Sequence, residues 1–295
     1  MNKKHESSDG RLIGAHCSIA GGVANAPKMG GELGCTAIQL FTKNNNRWEA
    51  SPLLPKDAED FQKACVENNI KLAFAHTGYL INLASPEKSI FEKSFLSMLA
   101  ELERAEELEL PYVVVHPGSH KGLGVAVGIA HVATSLKKLI DQTAGYRVKI
   151  LLETTAGQGS SVGCKFEHFS DIFSRLTKAE LTRMGICFDT SHAFAAGHDL
   201  RTKAAYKKTW DEFDRHIGLE YLKAFHLNDS TKDFDSHVDR HEHIGKGKIG
   251  LEPFRWLLND KRFTMLPMVL ETPKGETHAE DRRNLKLLHS LMEGA

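Results

Sequence analysis

The sequence predicts a single-domain α/β protein, a (β/α)8 TIM barrel. Short apolar runs rich in β-branched residues alternate with longer amphipathic stretches along the chain. The short runs are nearly continuous in apolar residues, which is typical of parallel strands covered on both faces. Eight such runs in a chain of 295 residues match one barrel. A doubly wound open sheet is the alternative, but no Gly-x-Gly-x-x-Gly segment follows the first strand.

The elements follow each other in the order that a barrel requires. Strands are predicted at residues 11–18, 37–42, 71–77, 112–118, 149–155, 184–190, 222–228 and 265–272. Helical periodicity lies between them at 57–68, 89–108, 123–143, 166–175, 202–217, 250–258 and 279–292. The longest polar loop, residues 231–250, follows the seventh strand, and such loops are commonly functional or disordered. Residues 1–10 are predicted to be a flexible N-terminal extension and residues 11–295 the barrel domain.

Composition excludes several classes of protein. No apolar run approaches the roughly 18 residues of a membrane span, and no signal peptide is visible, so we expect a cytoplasmic protein with no membrane partner. The five cysteines are scattered without a C-x-x-C pair, which argues against a disulfide framework and a thiolate zinc site. Lys plus Arg equals Asp plus Glu at 38 each. This balance does not argue against nucleic-acid binding, because bound divalent metals would neutralise carboxylates.

Polar side chains of metal-ligand type end six of the eight predicted strands. The third to eighth strands close as AFAHT, VVVHPGSH, ILLETTAGQGS, ICFDTSHAF, AFHLND and MVLET. In a barrel these C-terminal ends converge on the face where catalysis takes place. The residues at the strand ends are His76, His116, Glu153, Asp189, His226 and Glu271.

Three further residues join this set from the adjacent loops. His192 lies three residues beyond Asp189, and Asp239 and His241 stand two apart, which places their side chains on one side of an extended segment. The nine groups comprise five histidines and four carboxylates, more than one metal ion can use. Zinc binds imidazole nitrogen and carboxylate oxygen, whereas magnesium prefers oxygen. The sequence therefore predicts a site for two or three zinc ions.

Each of these residues also has a purely structural interpretation. A single histidine after a strand is more often a hydrogen-bonded loop or core residue, and a carboxylate there is often a helix N-cap. Their occurrence together at six strand ends favours the metal site. His16 ends the first strand in GAHCS, and we predict a supporting or structural role for it rather than a ligating one.

The chain resembles endonuclease IV, the zinc-dependent abasic-site nuclease family of base-excision repair. The resemblance runs from residue 14 to residue 272, and HPGSH, DTSHAFAAG and HLND with VDRH are its most specific part. The other matching segments, in chain order around these, are GAHCSIAGG, FTKN, YLINLA, ETTAGQGS, FEH, HIGKGKIG and LET.

The resemblance implies a trinuclear zinc site on the same nine residues. His76 and His116 would bind one zinc ion, which Glu153 would bridge to a second. Asp189, His226 and Glu271 would complete the second ion, and His192, Asp239 and His241 would hold the third. The implied reaction is attack of a metal-bridging hydroxide on the phosphate 5′ to an abasic site. Its products are a 3′-hydroxyl and a 5′-deoxyribose phosphate, and Glu153 would help to position the nucleophile. A 3′-phosphatase and 3′-phosphodiesterase side activity is expected, and manganese could occupy part of the site.

The family also flips the abasic nucleotide out of a bent duplex by inserting side chains from two loops. Tyr79 and Leu80 match the inserting loop after the third strand. The loop after the second strand reads TKNNNRW, so that the family's inserting arginine falls on Asn46, with Arg47 next to it. Whether Arg47 replaces that arginine stays open. The expected partner is double-stranded DNA that contains abasic sites, and a monomer is the expected state.

Two other functions remain to be weighed. A metal-dependent sugar isomerase can use the same barrel, but such sites rely mainly on carboxylates and lysine, with few histidines. A non-enzymatic DNA-binding module would keep the fold and lose the metals, whereas all nine ligand positions are filled here. Incision of an abasic oligonucleotide, tested beside conversion of a ketose, separates these functions.

Overall fold

The computed structural model describes residues 10–275 and 277–293, and within them eight parallel strands form a closed barrel in the order β1-β10-β7-β6-β5-β4-β3-β2. The predicted fold class is confirmed. The barrel strands are β1 (Ile13–His16), β2 (Ala37–Phe41), β3 (Leu72–His76), β4 (Tyr112–Val115), β5 (Lys149–Glu153), β6 (Met184–Asp189), β7 (Leu222–His226) and β10 (Met268–Leu270). Two short strands outside the barrel, β8 (Asp229–Ser230) and β9 (His241–Glu242), pair antiparallel.

Helices cover the outside of the barrel. They are α1 (Asn25–Leu33), α2 (Pro55–Glu67), α3 (Lys88–Glu107), α4 (Val125–Gln142), α5 (Phe166–Phe173), α6 (Lys178–Leu181), α7 (Thr190–Ala195), α8 (Lys203–His216), α9 (Glu252–Asn259) and α10 (Ala279–Leu291). None of the helices in the described part of the chain is long and apolar enough to cross a membrane.

The core consists of two layers. A small cluster fills the inside of the barrel with one residue from most strands, namely Ala37, Phe74, Val114, Leu151, Cys187, Ala224 and Val269. A larger cluster lies between the strands and the helices and contains Phe188, Trp210 and Phe225. Side chains of one strand alternate between these layers, so both faces are apolar. This explains why the strand segments read as nearly continuous apolar runs.

The strands are shorter than predicted, and three helices were not predicted. The helix α1 carries Pro27 and a pair of glycines, which lower helix propensity. A Cβ on Gly30 would come within 2.6 Å of Ile38 Cγ2, so the glycine allows close packing of α1 on β2. The helix ends at Gly34, whose φ of 77° is left-handed. The helices α6 and α7 have four and six residues, too few to show a period in the sequence.

The polar loop at 231–250 is held at its base by one buried carboxylate. Asp229 accepts hydrogen bonds from the backbone N–H groups of Ser230 at 2.8 Å, Gly247 at 3.0 Å and Ile249 at 2.9 Å. The antiparallel pairing of β8 with β9 then fixes the position of His241, the first residue of β9. The predicted flexible extension falls, except for Gly10, outside the described residues.

Candidate metal centre

The nine predicted ligand residues lie together at the C-terminal mouth of the barrel. Three groups of side chains in the described residues present nitrogen and oxygen atoms within 4.8 Å of one another. The groups are His76, His116 and Glu153, then Glu153, Asp189, His226 and Glu271, then Asp189, His192 and His241. The ninth residue, Asp239, is outside these groups, and its Oδ2 lies 3.1 Å from His192 Nε2. Neighbouring parallel strands bring these side chains together, since β3 to β7 and β10 all end at this mouth.

Glu153 joins the groups because its two oxygens face different histidines. Its Oε2 lies 2.9 Å from His76 Nε2 and 3.0 Å from His116 Nε2. Its Oε1 lies 2.9 Å from His226 Nδ1 and 3.2 Å from His192 Nδ1. The carboxylate is completely buried at the end of β5. A carboxylate in this position can bridge two ions.

The second group centres on His226. Its Nδ1 lies 3.2 Å from Glu271 Oε2 and 3.8 Å from Asp189 Oδ2. Asp189 also accepts a hydrogen bond from the backbone N–H of His192 at 2.8 Å, as the N-cap of α7. Asp189 can therefore be both a helix N-cap and a metal ligand, because Oδ1 caps α7 while Oδ2 faces His226. Capping also fixes where His192 stands in the first turn of the helix.

The third group has the spacing that a tetrahedral metal requires. His192 Nε2 lies 3.3 Å from His241 Nε2 and 3.1 Å from Asp239 Oδ2. Zinc–nitrogen bonds of 2.0–2.1 Å at tetrahedral angles separate two ligand atoms by about 3.3 Å. Asp189 Oδ2 also reaches to within 3.7 Å of His241 Nε2, a contact that sequence spacing did not suggest. Asp239 and His241 also lie close to each other, with Asp239 Oδ1 3.5 Å from His241 Nε2.

Four of the five histidines place their second ring nitrogen against an oxygen acceptor. His76 Nδ1 donates to the Thr77 carbonyl at 2.7 Å and His192 Nδ1 to the Thr154 carbonyl at 2.9 Å. His241 Nδ1 donates to the Glu271 carbonyl at 3.2 Å, and His226 Nε2 donates to Gln39 Oε1 at 2.6 Å. Such partners fix the tautomer and leave the other nitrogen free as a ligand.

Sequence reasoning missed two supporting amides, Gln39 and Asn228. Gln39, buried in β2, also donates from Nε2 to Glu271 Oε1 at 2.6 Å and to His16 Nδ1 at 2.9 Å. Asn228 donates to Asp189 Oδ2 at 2.7 Å and accepts from the backbone of Glu271 at 2.9 Å. A glutamine inside the apolar run AIQLF was a signal, because a buried polar side chain needs a partner.

His16 stands beside this centre and contacts it through Gln39. Its Nδ1 accepts the Gln39 amide and lies 3.9 Å from Glu271 Oε1. Burial lowers the pKa of His16 to about 3, so the ring is neutral. The supporting role of His16 stays a prediction.

The electrostatics of the cluster keep its carboxylates ionised. Burial opposes ionisation of Glu153, but His226 and His116 outweigh it and hold the pKa of Glu153 well below its usual range. In the same way, burial is outweighed at Glu271 by His226, and the pKa of Glu271 falls to about 2. Burial also opposes protonation of His192, yet Asp189 and Asp239 raise the pKa of His192 well above its ordinary value. The cluster thus has the ionised carboxylates that a divalent cation needs.

The predicted DNA-contacting residues lie beside the centre. Tyr79 is 71% exposed, and its ring packs edge-on against Phe41. Leu80 and Tyr79 line a cavity of about 690 Å³ whose floor includes His76, His116 and His192. Asn46 and Arg47 are exposed and line the adjacent groove, which Leu80 also lines.

Comparisons with known proteins identify the family. Residues 31–290 match the family model described as xylose isomerase-like TIM barrel. A probable endonuclease 4 of Chloroflexus aurantiacus is 49% identical over 96% of this chain and 99% of that relative. A probable endonuclease 4 of a Geobacter species (strain M21) is 44% identical over 96% of this chain and 99% of that protein.

Solved structures agree with these relatives. Endonuclease IV from Thermus thermophilus superposes with a TM-score of 0.85 and is 35% identical, covering 96% of this chain and all of that one. A D-tagatose 3-epimerase-like protein superposes with a TM-score of 0.72 at 18% identity, which shows a common fold only. The chain belongs to the endonuclease IV family.

Proposed function

We propose that this protein is an abasic-site endonuclease of base-excision repair. It would hydrolyse the phosphodiester 5′ to an abasic site in double-stranded DNA and leave a 3′-hydroxyl and a 5′-deoxyribose phosphate. The observation that carries the proposal is the position of Glu153, which presents one oxygen to His76 and His116 and the other to His226 and His192. Phosphoryl displacement is the chemistry for which two or more adjacent divalent ions are suited.

The donor set fits zinc. Zinc accepts both the imidazole nitrogens of the five histidines and the oxygens of the four carboxylates, whereas magnesium prefers oxygen and does not favour so many nitrogen ligands. We propose three zinc ions, held by His76, His116 and Glu153, by Glu153, Asp189, His226 and Glu271, and by His192, Asp239 and His241. Partial occupancy by Mn²⁺ belongs to the proposal, since manganese shares carboxylate and imidazole ligands. When bound, the ions would supply Lewis acidity toward the phosphate and lower the pKa of water.

The side chains around the centre would bind and orient the substrate. Glu153 is the catalytic residue of the proposal, because its buried carboxylate orients the groups on both sides of it. Exposed Arg240 and Lys121 line the same cavity as His116, so they would attract the DNA backbone. We propose that Tyr79 and Leu80, with Asn46 and Arg47, enter the base stack around the lesion, and that the protein acts as a monomer.

The test is incision of a duplex oligonucleotide that carries one tetrahydrofuran abasic analogue. A tetrahydrofuran site does not undergo β-elimination, so a product with a 3′-hydroxyl must arise by hydrolysis. We expect as-purified protein to cut, chelator-stripped protein not to cut, and zinc to restore the activity, with metal content measured on each sample. A well-folded, zinc-loaded protein that leaves the strand intact would overturn the proposal, and conversion of ketose sugars would be tested next.

A 3′-phosphatase and 3′-phosphodiesterase activity is the proposed side activity. Hydrolysis of a 3′-phosphate by water breaks the same bond, between phosphorus and the 3′ oxygen, and releases inorganic phosphate without a flipped nucleotide. Oligonucleotides ending in 3′-phosphate, incubated with the zinc-loaded protein, should acquire a 3′-hydroxyl.

Replacing Gln39 by leucine should weaken zinc binding. The change keeps the volume of the side chain but removes the acceptor for His226 Nε2 and the donor to Glu271 Oε1. Loss of such a partner of a metal ligand typically lowers metal affinity by about 10–100-fold. Competition with a chromogenic chelator measures that affinity. Equal zinc affinity in the variant and the wild type would contradict the role given to Gln39.

Zinc uptake should release protons at neutral pH. Burial opposes protonation of His226, but Cys187, Glu271 and Glu153 raise its pKa well above the ordinary value, as happens at His192. In the metal-free protein both rings therefore carry protons that must leave before a ring can bind metal, whereas the carboxylates are already ionised. Affinity should rise with pH through and above the ordinary histidine range near 6.5. Burial also opposes protonation of His76, but the Glu153 carboxylate raises the pKa of His76 as well. Calorimetric titration with zinc in two buffers of different ionisation enthalpy should therefore show roughly two to three protons released per chain; no release would contradict this.

A further inference from the structure

One face of α3 carries a row of polar side chains beneath the two loops that hold the proposed DNA-contacting residues, and all of them are buried except the half-buried Arg104. The row consists of Ser94, Ser97, Glu101 and Arg104, whose spacing of three, four and three residues places them on one side of the helix. We call this set the α3 polar row. It lies outside the metal centre, and the proposed mechanism does not use it.

Glu101 makes the strongest contacts of the row, and they go to the loop after β2. Thr42 Oγ1 donates to Glu101 Oε2 at 2.5 Å, and Lys43 Nζ lies 3.5 Å from Glu101 Oε1. The side chains of Lys43 and Glu101 are 2% and 1% exposed. A buried ion pair with this burial is costly unless each charge is satisfied. Lys43 satisfies part of its charge by donating to the Arg47 carbonyl at 2.8 Å.

Ser97 and Arg104 of the α3 polar row donate hydrogen bonds to backbone carbonyls of the loop after β2. Ser97 Oγ donates to the Trp48 carbonyl at 3.1 Å. Arg104 donates from Nε to the Thr42 carbonyl at 3.1 Å and from Nη1 to the Ser51 carbonyl at 2.8 Å. The exposed Asn46 and Arg47 therefore stand on a segment whose backbone is tied to α3 on both sides of them.

The same row holds the loop after β3. Ser94 Oγ accepts a hydrogen bond from the Asn82 backbone N–H at 2.9 Å. The two loops also touch directly, because the Tyr79 N–H donates to the Asn45 carbonyl at 3.2 Å. A Cβ on Gly78 would lie 2.7 Å from that carbonyl oxygen, so the close approach requires glycine.

We propose that Glu101 is a positioning residue: through Thr42 and Lys43 it fixes the loop after β2 against α3, and α3 also holds the loop after β3, so that the two DNA-contacting loops are placed relative to each other before the duplex arrives. This inference rests on the proposed function. A preorganised pair of loops avoids the ordering cost that flexible loops incur on binding. Because Glu101 touches neither the metal groups nor any residue that would meet the phosphate, its effect should fall on duplex binding and not on the hydrolytic step.

The experiment compares the wild type with Glu101→Gln and with the double variant Glu101→Gln/Lys43→Met, all zinc-loaded, on the tetrahydrofuran duplex. Glu101→Gln should raise KM by about tenfold, through lost preorganisation, and leave kcat and zinc content within about twofold of the wild type. The double variant also removes the Lys43 ammonium, which Glu101→Gln leaves without its carboxylate partner, so part of the lost stability should return. Its KM should stay raised, because the Arg47 carbonyl loses the hydrogen bond from Lys43 Nζ. If Glu101→Gln proves insoluble, the double variant Thr42→Val/Ser97→Ala replaces it, and the same rise in KM with unchanged kcat and zinc content is expected.

A core variant distinguishes positioning from general destabilisation. Leu139→Ala creates a cavity under α4, away from both loops, and should lower thermal stability to a similar degree without raising KM. The inference is overturned if Glu101→Gln leaves KM unchanged, lowers kcat or zinc content instead, or is matched in KM by Leu139→Ala. A wild type that does not cut the duplex would overturn the proposed function, which is a separate result.

Discussion

Replacing Glu153 by glutamine is expected to lower hydrolytic incision at a tetrahydrofuran site by about a thousandfold or more, the scale of removing a group that organises metal catalysis. Glutamine matches glutamate in size but replaces one carboxylate oxygen by an NH₂ group. The position of Glu153 uses both oxygens, since each lies within 3.2 Å of two histidine nitrogens. An amide therefore presents a donor where one of the two groups needs an acceptor.

The measurement is a single-turnover incision assay together with the zinc content of the purified variant. We expect fewer zinc ions bound as well as a slower reaction, because Glu153 belongs to two of the three side-chain groups. Glu59→Gln is the matched control, because it makes the same chemical change at an exposed position on α2. A Glu153→Gln protein with full zinc and wild-type incision would show that the bridging position has no catalytic role.

The barrel could be predicted because its signal is repeated eight times. Each strand has both faces covered, so apolar runs such as VVV before His116 and ILL before Glu153 are continuous. Strand ends could be predicted less well. The barrel strands include only four residues of β1 and three of β10, and apolar residues just outside them, such as Leu12 and Leu266, pack against the core without belonging to a strand.

The candidate site could be predicted where residues stand at strand ends, because topology alone brings those ends together. His76 and Glu153 are 77 positions apart in the chain and 2.9 Å apart in space for that reason. The approach of Asp189 to His241 depends instead on the path of the 229–250 loop, which Asp229 fixes through three backbone contacts. No spacing in the sequence encodes that path.

The supporting residues were the part that sequence reasoning missed. Gln39 and Glu101 lie inside an apolar strand and on an amphipathic helix, where the stretch around Glu101 reads as a charged, solvated face. Both are in fact buried, at 0% and 1% exposure. Their partners, the His226 ring for Gln39 and the Thr42 and Lys43 side chains for Glu101, come from distant parts of the chain. The role of a residue that orients other side chains can be recognised only from a structure that shows where those side chains lie.

Removal of the metal ions should lower the thermal unfolding midpoint by roughly 10–15 °C, which is the second large effect we expect. An ion present at about 100 times its dissociation constant stabilises the folded state by about 2.7 kcal/mol, and three ions by about 8 kcal/mol. With an unfolding entropy of about 2.1 cal/mol/K per residue, each kcal/mol shifts the midpoint of a 295-residue chain by roughly 1.6 °C. The measurement is scanning calorimetry of stripped protein, with zinc added back in steps.

The stripped protein should nevertheless stay folded, because its buried charges can pair with one another. Glu153 and His226 are both fully buried, and their contact of 2.9 Å is a hydrogen bond between a carboxylate and an imidazole whose pKa values favour the charged forms. Such a pair compensates only part of the desolvation of its charges, and bound cations would supply the remainder. The midpoint should therefore rise with each increment of zinc and should rise less in Gln39→Leu, in which His226 and Glu271 lose their common partner. If neither chelation nor added zinc changes the unfolding midpoint by more than about 3 °C, these nine side chains bind no metal tightly in the folded state.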